Sequence, residues 1–330
     1  MSGSENLPGG ARLTIVTGAD EAYAGCLARL LLSIERRGLL RGCQGVVYDL
    51  GLSARRREGL AHRFPWVEMR DFDFDSFPPH VALSACTYAW KPLVVSDAAR
   101  RAGGPVLWLD SACVVRTDLD EVRAHLEACG MYVLHGQAPL RERMARHLAR
   151  LLGAEPPLLD HREVVAGVVG VDPRRPAVAA LLAQWRAWAL DPRSTPPQAP
   201  RHNPEQALLS LLVLRARAAD TVRLPAVRDV DISAPTPVGW ISTREKVPRD
   251  WSLSLELLAS AWFRAYKAID QLAHRIRRFK STRINGLHRW PKGHFQVFVA
   301  PVGIPEPAGG EGSLEGLRAV RAPRFSYYAD

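Results

Sequence analysis

Over its first two-thirds the chain alternates short apolar runs with longer segments in which apolar residues recur every three or four positions. The runs at residues 13–17, 44–50, 66–72, 105–110, 131–135 and 164–171 read as strands. The segments 21–37, 53–64, 88–102, 119–129, 173–190 and 204–218 read as helices, with Ser53 placed as an N-cap. Strands separated by helices of this length predict βαβ units, hence an α/β fold with a mostly parallel, mixed sheet flanked by helices.

Beyond this alternation the pattern changes. Proline-rich stretches at 194–203 and 234–249 interrupt it, and a third Pro/Gly-rich stretch spans 301–313. Between them, residues 251–279 place Trp251, Leu255, Leu258, Trp262 and Ala265 at spacings of four and three, one narrow apolar seam with basic residues mostly off it. The predicted organisation is an α/β domain over 1–243, a basic helical C-terminal extension over 244–300 and a flexible tail over 301–330.

Composition narrows the class. With 330 residues, 47% of them hydrophobic and 24% charged, the chain has enough apolar side chains for one large core. Its five cysteines are widely spaced and form no CxxC, which argues against a zinc site or a disulfide framework and suits a reducing compartment. The first twelve residues lack a basic-then-apolar leader, and no apolar run approaches the roughly 18 residues of a membrane span. The predicted location is cytoplasmic.

The net charge of +10 is uneven: residues 244–292 hold 12 Lys/Arg against 4 Asp/Glu, a net of +8 that leaves only +2 for the rest. Such a segment suits a phosphorylated ligand, nucleic acid or an anionic membrane surface. No nucleic-acid-binding module accompanies it, so a nucleic-acid partner is the weakest of the three. The extension is expected to pack on the core or on a second subunit. The sharper alternative lays it on the inner face of a membrane.

The chemistry-bearing residues lie where strands end, since ligands of open α/β sheets bind outside the carboxyl ends of the strands. Asp110 closes the apolar run Val106-Leu107-Trp108-Leu109. A carboxylate there holds a divalent cation or a ribose hydroxyl, or merely caps a turn. The first strand ends in Thr17-Gly18-Ala19-Asp20, with Gly18 allowing close approach to a ligand and Asp20 able to cap the next helix. GxGxxG, GxxxxGK[ST] and GxSxG are all missing, which disfavours a dinucleotide fingerprint, a P-loop and a serine nucleophile elbow.

In order and spacing, these segments resemble glycosyltransferases of the nucleotide-diphospho-sugar fold, the glycogenin-like retaining family and its relatives. The resemblance covers residues 12–217. It rests on Ile15-Val16-Thr17-Gly18-Ala19-Asp20-Glu21-Ala22-Tyr23, on Tyr88-Ala89-Trp90-Lys91-Pro92-Leu93, on Leu109-Asp110-Ser111-Ala112, on Asp118-Leu119-Asp120-Glu121, on Ala166-Gly167-Val168-Val169-Gly170 and on Asn203-Pro204-Glu205-Gln206-Ala207. It implies transfer of a sugar from a nucleoside-diphosphate sugar, with a uridine-type base near Thr17 and Asp20, to the hydroxyl of a glycan, lipid or protein acceptor. Lys91, Asp110 and Lys292 would bind the donor. Glu205 and Gln206 would face the anomeric carbon and steady positive charge there, Glu205 alternatively serving only the dipole of its helix start. The implied cofactor is Mn2+ or Mg2+, held by Asp110 with His288 or His294. One departure bears on it: the family's Asp-x-Asp is Asp110-Ser111-Ala112 here. Its second carboxylate is missing, so metal affinity is expected to be weaker or absent, with Lys91, Arg289 or Lys292 neutralising the diphosphate instead. A nucleotide-sugar-binding protein without catalysis is the alternative that this departure raises.

Overall fold

The computed structural model describes residues 12–195, 203–222 and 241–242, all within the compact unit Met1–Ser260. The first half runs β1 (Leu13–Ala19), α1 (Ala24–Arg36), β2 (Cys43–Asp49), α2 (Ala54–Arg63), β3 (Val67–Asp71), α3 (Trp90–Ala102) and β4 (Val106–Leu109). Next come β5 (Val114–Val115), α4 (Asp120–Cys129), β6 (Met131–Pro139) and three short helices, α5 (Leu140–Arg143), α6 (Arg146–Leu151) and α7 (Pro156–Leu159). The described chain closes with β7 (Arg162–Val171), α8 (Pro176–Leu190), α9 (Pro204–Ala218) and β8 (Ile241–Ser242). The predicted extension and tail lie outside the described residues.

The main sheet has the order β3-β2-β1-β4-β7-β6. β1 pairs in parallel with both β2 and β4, and β2 with β3. β7 runs antiparallel to β4 and to β6. The sheet is therefore mixed, as the alternation predicts, with the reversal confined to β7. From β1 the chain builds outward to β2 and β3, then returns to place β4 on the other side. The switch point of the topology thus falls between β1 and β4, where α/β sheets open a crevice for ligands.

Side-chain alternation along the strands feeds apolar clusters on both faces of the sheet. Val16, Trp108, Val133 and Val169 point to the face covered by α3, α8 and α9. Leu13, Ile15, Leu107 and Leu109 point to the opposite face with Leu30, Ile34 and Leu126 of α1 and α4. Each fully buried side chain of this size contributes about 1.5–3 kcal/mol. Arg63 forks onto Glu35 at 3.1 and 2.9 Å, tying α2 to α1.

Several boundaries differ from the periodicity for local reasons. The first helix opens as a 3-10 turn at Glu21–Tyr23, because the Asp20 side chain accepts the Tyr23 amide at 3.0 Å. Ser53 caps α2 as expected, accepting from Arg56 N. α3 starts at Trp90 rather than 88, since Cys86 and Tyr88 take left-handed backbone with φ of 53° and 54°. α4 starts at Asp120, and Asp118 Oδ1 accepts the Asp120 amide at 3.3 Å. α3 and α4 stop at Gly103 and Gly130, whose positive φ a residue with Cβ adopts only under strain.

Candidate active site

α3, β4, β7 and α9 converge on one cluster at the carboxyl end of β4. Lys91, in the first turn of α3, is buried and points its ammonium between two carboxylates. Nζ lies 3.0 Å from Asp110 Oδ1 and 3.3 Å from Glu205 Oε1, with the Ala166 carbonyl at 3.5 Å. Asp110 follows the last residue of β4. Its amide donates to the Gly167 carbonyl at 2.9 Å, and its Oδ1 also accepts from the Trp108 indole at 2.8 Å. Glu205, in the first turn of α9, is 2% exposed, and its carbonyl accepts from the Trp185 indole at 3.0 Å.

The electrostatics follow from burial. Burial alone would push the Lys91 ammonium down, but the fields of Asp110 and Glu205 outweigh it and hold the group above its ordinary range. Burial pushes the Glu205 carboxyl up; Lys91 pulls it back, and the nearby Asp110 charge adds to the rise. Oε2 of Glu205 makes no hydrogen bond of good geometry, although the Gln206 amide is close enough to favour the ionised form. A buried ion pair is an expensive way to stabilise a fold, and apolar side chains of equal volume do as well or better. A buried cation flanked by two carboxylates, at the switch point of a sheet, therefore makes this the candidate site.

Asp110 is the outward member. Its side chain is 41% exposed, and Oδ1 is taken by Lys91 and Trp108, leaving Oδ2 toward solvent. Gly167 gives that oxygen its room: a Cβ there would stand 3.1 Å from Oδ2. Gln206 lies beside the cluster, its amide oxygen accepting from Ala166 N at 3.3 Å and its nitrogen donating to Glu163 Oε2 at 2.6 Å. Arg143 meets the other oxygen of that buried Glu163 at 3.2 Å.

The remaining predicted residues fall into two groups. Thr17 and Asp20 stand at the carboxyl end of β1, the same edge as Asp110. Thr17 lies one position beyond the Val16–Trp108 pairing, with Oγ1 buried and without a hydrogen-bond partner. Asp20 caps the turn after β1. His288, Lys292 and His294 lie outside the described residues. Sequence reasoning passed over four contributors: Trp108, a core residue whose indole orients Asp110, the Ala166–Gly167 backbone, Glu163 and Arg143. The indole nitrogen of Trp108 carried a signal, since a buried Trp needs a partner for it, and Ala166–Gly167 lies in a motif of the resemblance, though without a role there.

Of the predicted metal ligands, Asp110 alone lies among the described residues. Mg2+ and Mn2+ collect about six oxygens, several of them from water and substrate phosphates. Here Asp110 offers one free oxygen, a cation already sits 3.0 Å from the other, and Ala112 at 8% exposure supplies none. No cluster of three or more His, Cys, Asp or Glu side chains able to hold a metal occurs among the described residues.

No family model and no curated protein matches the chain. Among solved structures it is similar to the galactosyltransferase LgtC, solved with donor and acceptor sugar analogues, at 19% identity and a TM-score of 0.40 over 60% of this chain and 70% of that one. It is also similar to the bifunctional glycosyltransferase WbbM, at 17% identity and a TM-score of 0.42 over 63% of this chain and 38% of that one. Mouse xyloside xylosyltransferase 1 matches at 13% identity and a TM-score of 0.40 over 66% and 85%. At these scores the likenesses add nothing to what the site itself shows.

Proposed function

We propose that the chain is a glycosyltransferase that takes a sugar from a nucleoside-diphosphate sugar, with UDP the favoured nucleotide. The observation that carries this reading is the Asp110–Lys91–Glu205 cluster at the β1/β4 switch point. The order of motifs along residues 12–217 supports it independently. The free Oδ2 of Asp110 accepts a hydroxyl of the sugar or ribose, a charge-assisted bond. Thr17 and Asp20 flank the base. An acceptor hydroxyl attacks the anomeric carbon, the bond to the diphosphate breaks with its electron pair leaving on the nucleoside diphosphate, and the hydroxyl proton passes to a departing phosphate oxygen. Glu205 and Gln206 offset positive charge at that carbon, Glu205 through space from beneath the site.

With all three groups ionised, Lys91, Asp110 and Glu205 sum to one negative charge, which repels a diphosphate. Cations from elsewhere must meet it. Basic side chains of the +8 segment, Lys292 among them, are the candidates for that part that the sequence offers.

A nucleotide-release assay over UDP-, GDP-, ADP- and TDP-sugars, with and without manganese, tests this reading. It expects slow hydrolysis of one donor class even without acceptor, with manganese changing the rate little. Tight donor binding without release over a broad acceptor panel would favour the non-catalytic binder instead.

A further inference from the structure

Tyr88 stands beside this cluster, its ring against Lys91 and Trp90. It is 40% exposed, one of two large hydrophobic side chains so exposed among the described residues. Its ring centroid lies 5.7 Å from the Lys91 ammonium and 6.4 Å from the Trp90 ring. Trp90 in turn packs edge-on against Trp108, whose indole holds Asp110. The exposed ring is thus the outer end of an aromatic row leading to the site.

Its backbone is strained. Tyr88 takes a φ of 54°, and Cys86, two residues earlier, a φ of 53°. Left-handed backbone is costly for a bulky side chain and persists only where the surroundings enforce it. Here they do. Thr87, between the two, is fully buried; its hydroxyl donates to the His80 carbonyl at 2.6 Å and accepts the Ala89 amide at 3.3 Å. The His80 ring is anchored on the Ala189 carbonyl at 2.9 Å, and the Tyr88 carbonyl accepts the Lys91 amide at 3.0 Å. The loop is anchored from both sides, and what it presents is an aromatic ring 40% exposed. A glycine or asparagine would sit here at less cost to folding.

A pyranose has polar edges and a face of C–H groups carrying partial positive charge. An aromatic face, negative at its centre, matches that C–H face, while carboxylates match the hydroxyls. Asp110 supplies the acceptor for hydroxyls, and Tyr88 supplies the platform within reach of the same Lys91. Resting on the glycosyltransferase reading above, we infer that Tyr88 is the stacking wall for the sugar ring of the donor and sets the affinity for the sugar as distinct from the nucleotide.

The test is calorimetry of the whole chain with UDP-glucose and UDP-galactose and with bare UDP, on wild type, Tyr88→Phe and Tyr88→Asn. Asparagine tolerates the left-handed backbone but offers no ring. The expected result is about tenfold weaker sugar-nucleotide binding in Tyr88→Asn, the size of one aromatic contact, with wild-type behaviour in Tyr88→Phe. Unchanged binding of the bare nucleotide in both variants shows the fold intact. Equal affinity of wild type and Tyr88→Asn for the sugar nucleotide overturns the inference, and so does an equal loss for sugar nucleotide and bare nucleotide. A wild type that binds no sugar nucleotide at all instead defeats the glycosyltransferase reading beneath it.

Discussion

Lys91 concentrates the electrostatics of the site in one ammonium. Its raised pKa means that its contribution to stability is complete below its ordinary value of 10.5 and is lost only as pH rises through the still higher folded value. Lys91→Met leaves Glu205 buried without its cation and is expected to cost about 3–5 kcal/mol of stability. The pH dependence of that loss has a definite sign. Without Lys91 the Glu205 carboxyl rises further above its ordinary 4.5, so the folded state keeps a proton that the unfolded chain gives up. The penalty then grows as pH climbs from about that value through the folded one. Urea titrations should show a larger deficit at pH 8 than at pH 5, and Lys91→Met/Glu205→Gln should recover much of it. An equal deficit at both pH values would contradict the pairing. Lys91, Asp110 and Glu205 are each visible in the sequence as candidates. Their contact is not, because residues 91, 110 and 205 share no local period and only the packing of α3, β4 and α9 joins them.

At the scale of elements, β7 is the piece that positions the site from below. Its Gly167 carbonyl holds the Asp110 amide, and Gln206 pins the neighbouring Ala166. Gly167→Ala would set a Cβ 3.1 Å from Asp110 Oδ2, tighter than normal contact, and push aside the oxygen assigned to the donor. The expected outcome is a several-fold loss of donor affinity with a thermal midpoint within a few degrees of wild type, since the carboxylate can swing into solvent. A second close approach makes a contrast. At Gly136 an added Cβ falls 2.3 Å from Glu163 Cγ, and that carboxylate is buried under Gln206 and Arg143. Gly136→Ala should therefore cost about 1–3 kcal/mol, readable as a lower melting temperature. The long strands and helices were legible because each spans enough residues to show its period. The two-residue pair β5–β8 and the short helices α5–α7 were not, since four to six residues cannot separate a 3.6 repeat from irregular chain.

For the molecule as a whole, the alternation of apolar runs marks which strands exist but not the reversal of β7, because periodicity carries no strand direction. β6 and β7 are joined through α5, α6 and α7, short segments that return the chain antiparallel. None of the described helices is long and apolar enough to cross a membrane. The uneven charge of the chain bears directly on the proposed function. If basic side chains meet the diphosphate, donor affinity should fall as ionic strength rises, and Lys292→Ala should weaken it without shifting the melting temperature. Calorimetry over a salt series checks both.

The most direct test of the central claim is donor binding by wild type and Asp110→Ala, with and without manganese. Asp110→Ala leaves Lys91 paired with Glu205 at 3.3 Å, so the fold should hold and any lost affinity should report the site. The account predicts saturable binding of one nucleoside-diphosphate-sugar class, nearly unchanged by manganese and abolished in Asp110→Ala. Binding that survives the substitution, or none by wild type to any such donor, would contradict it.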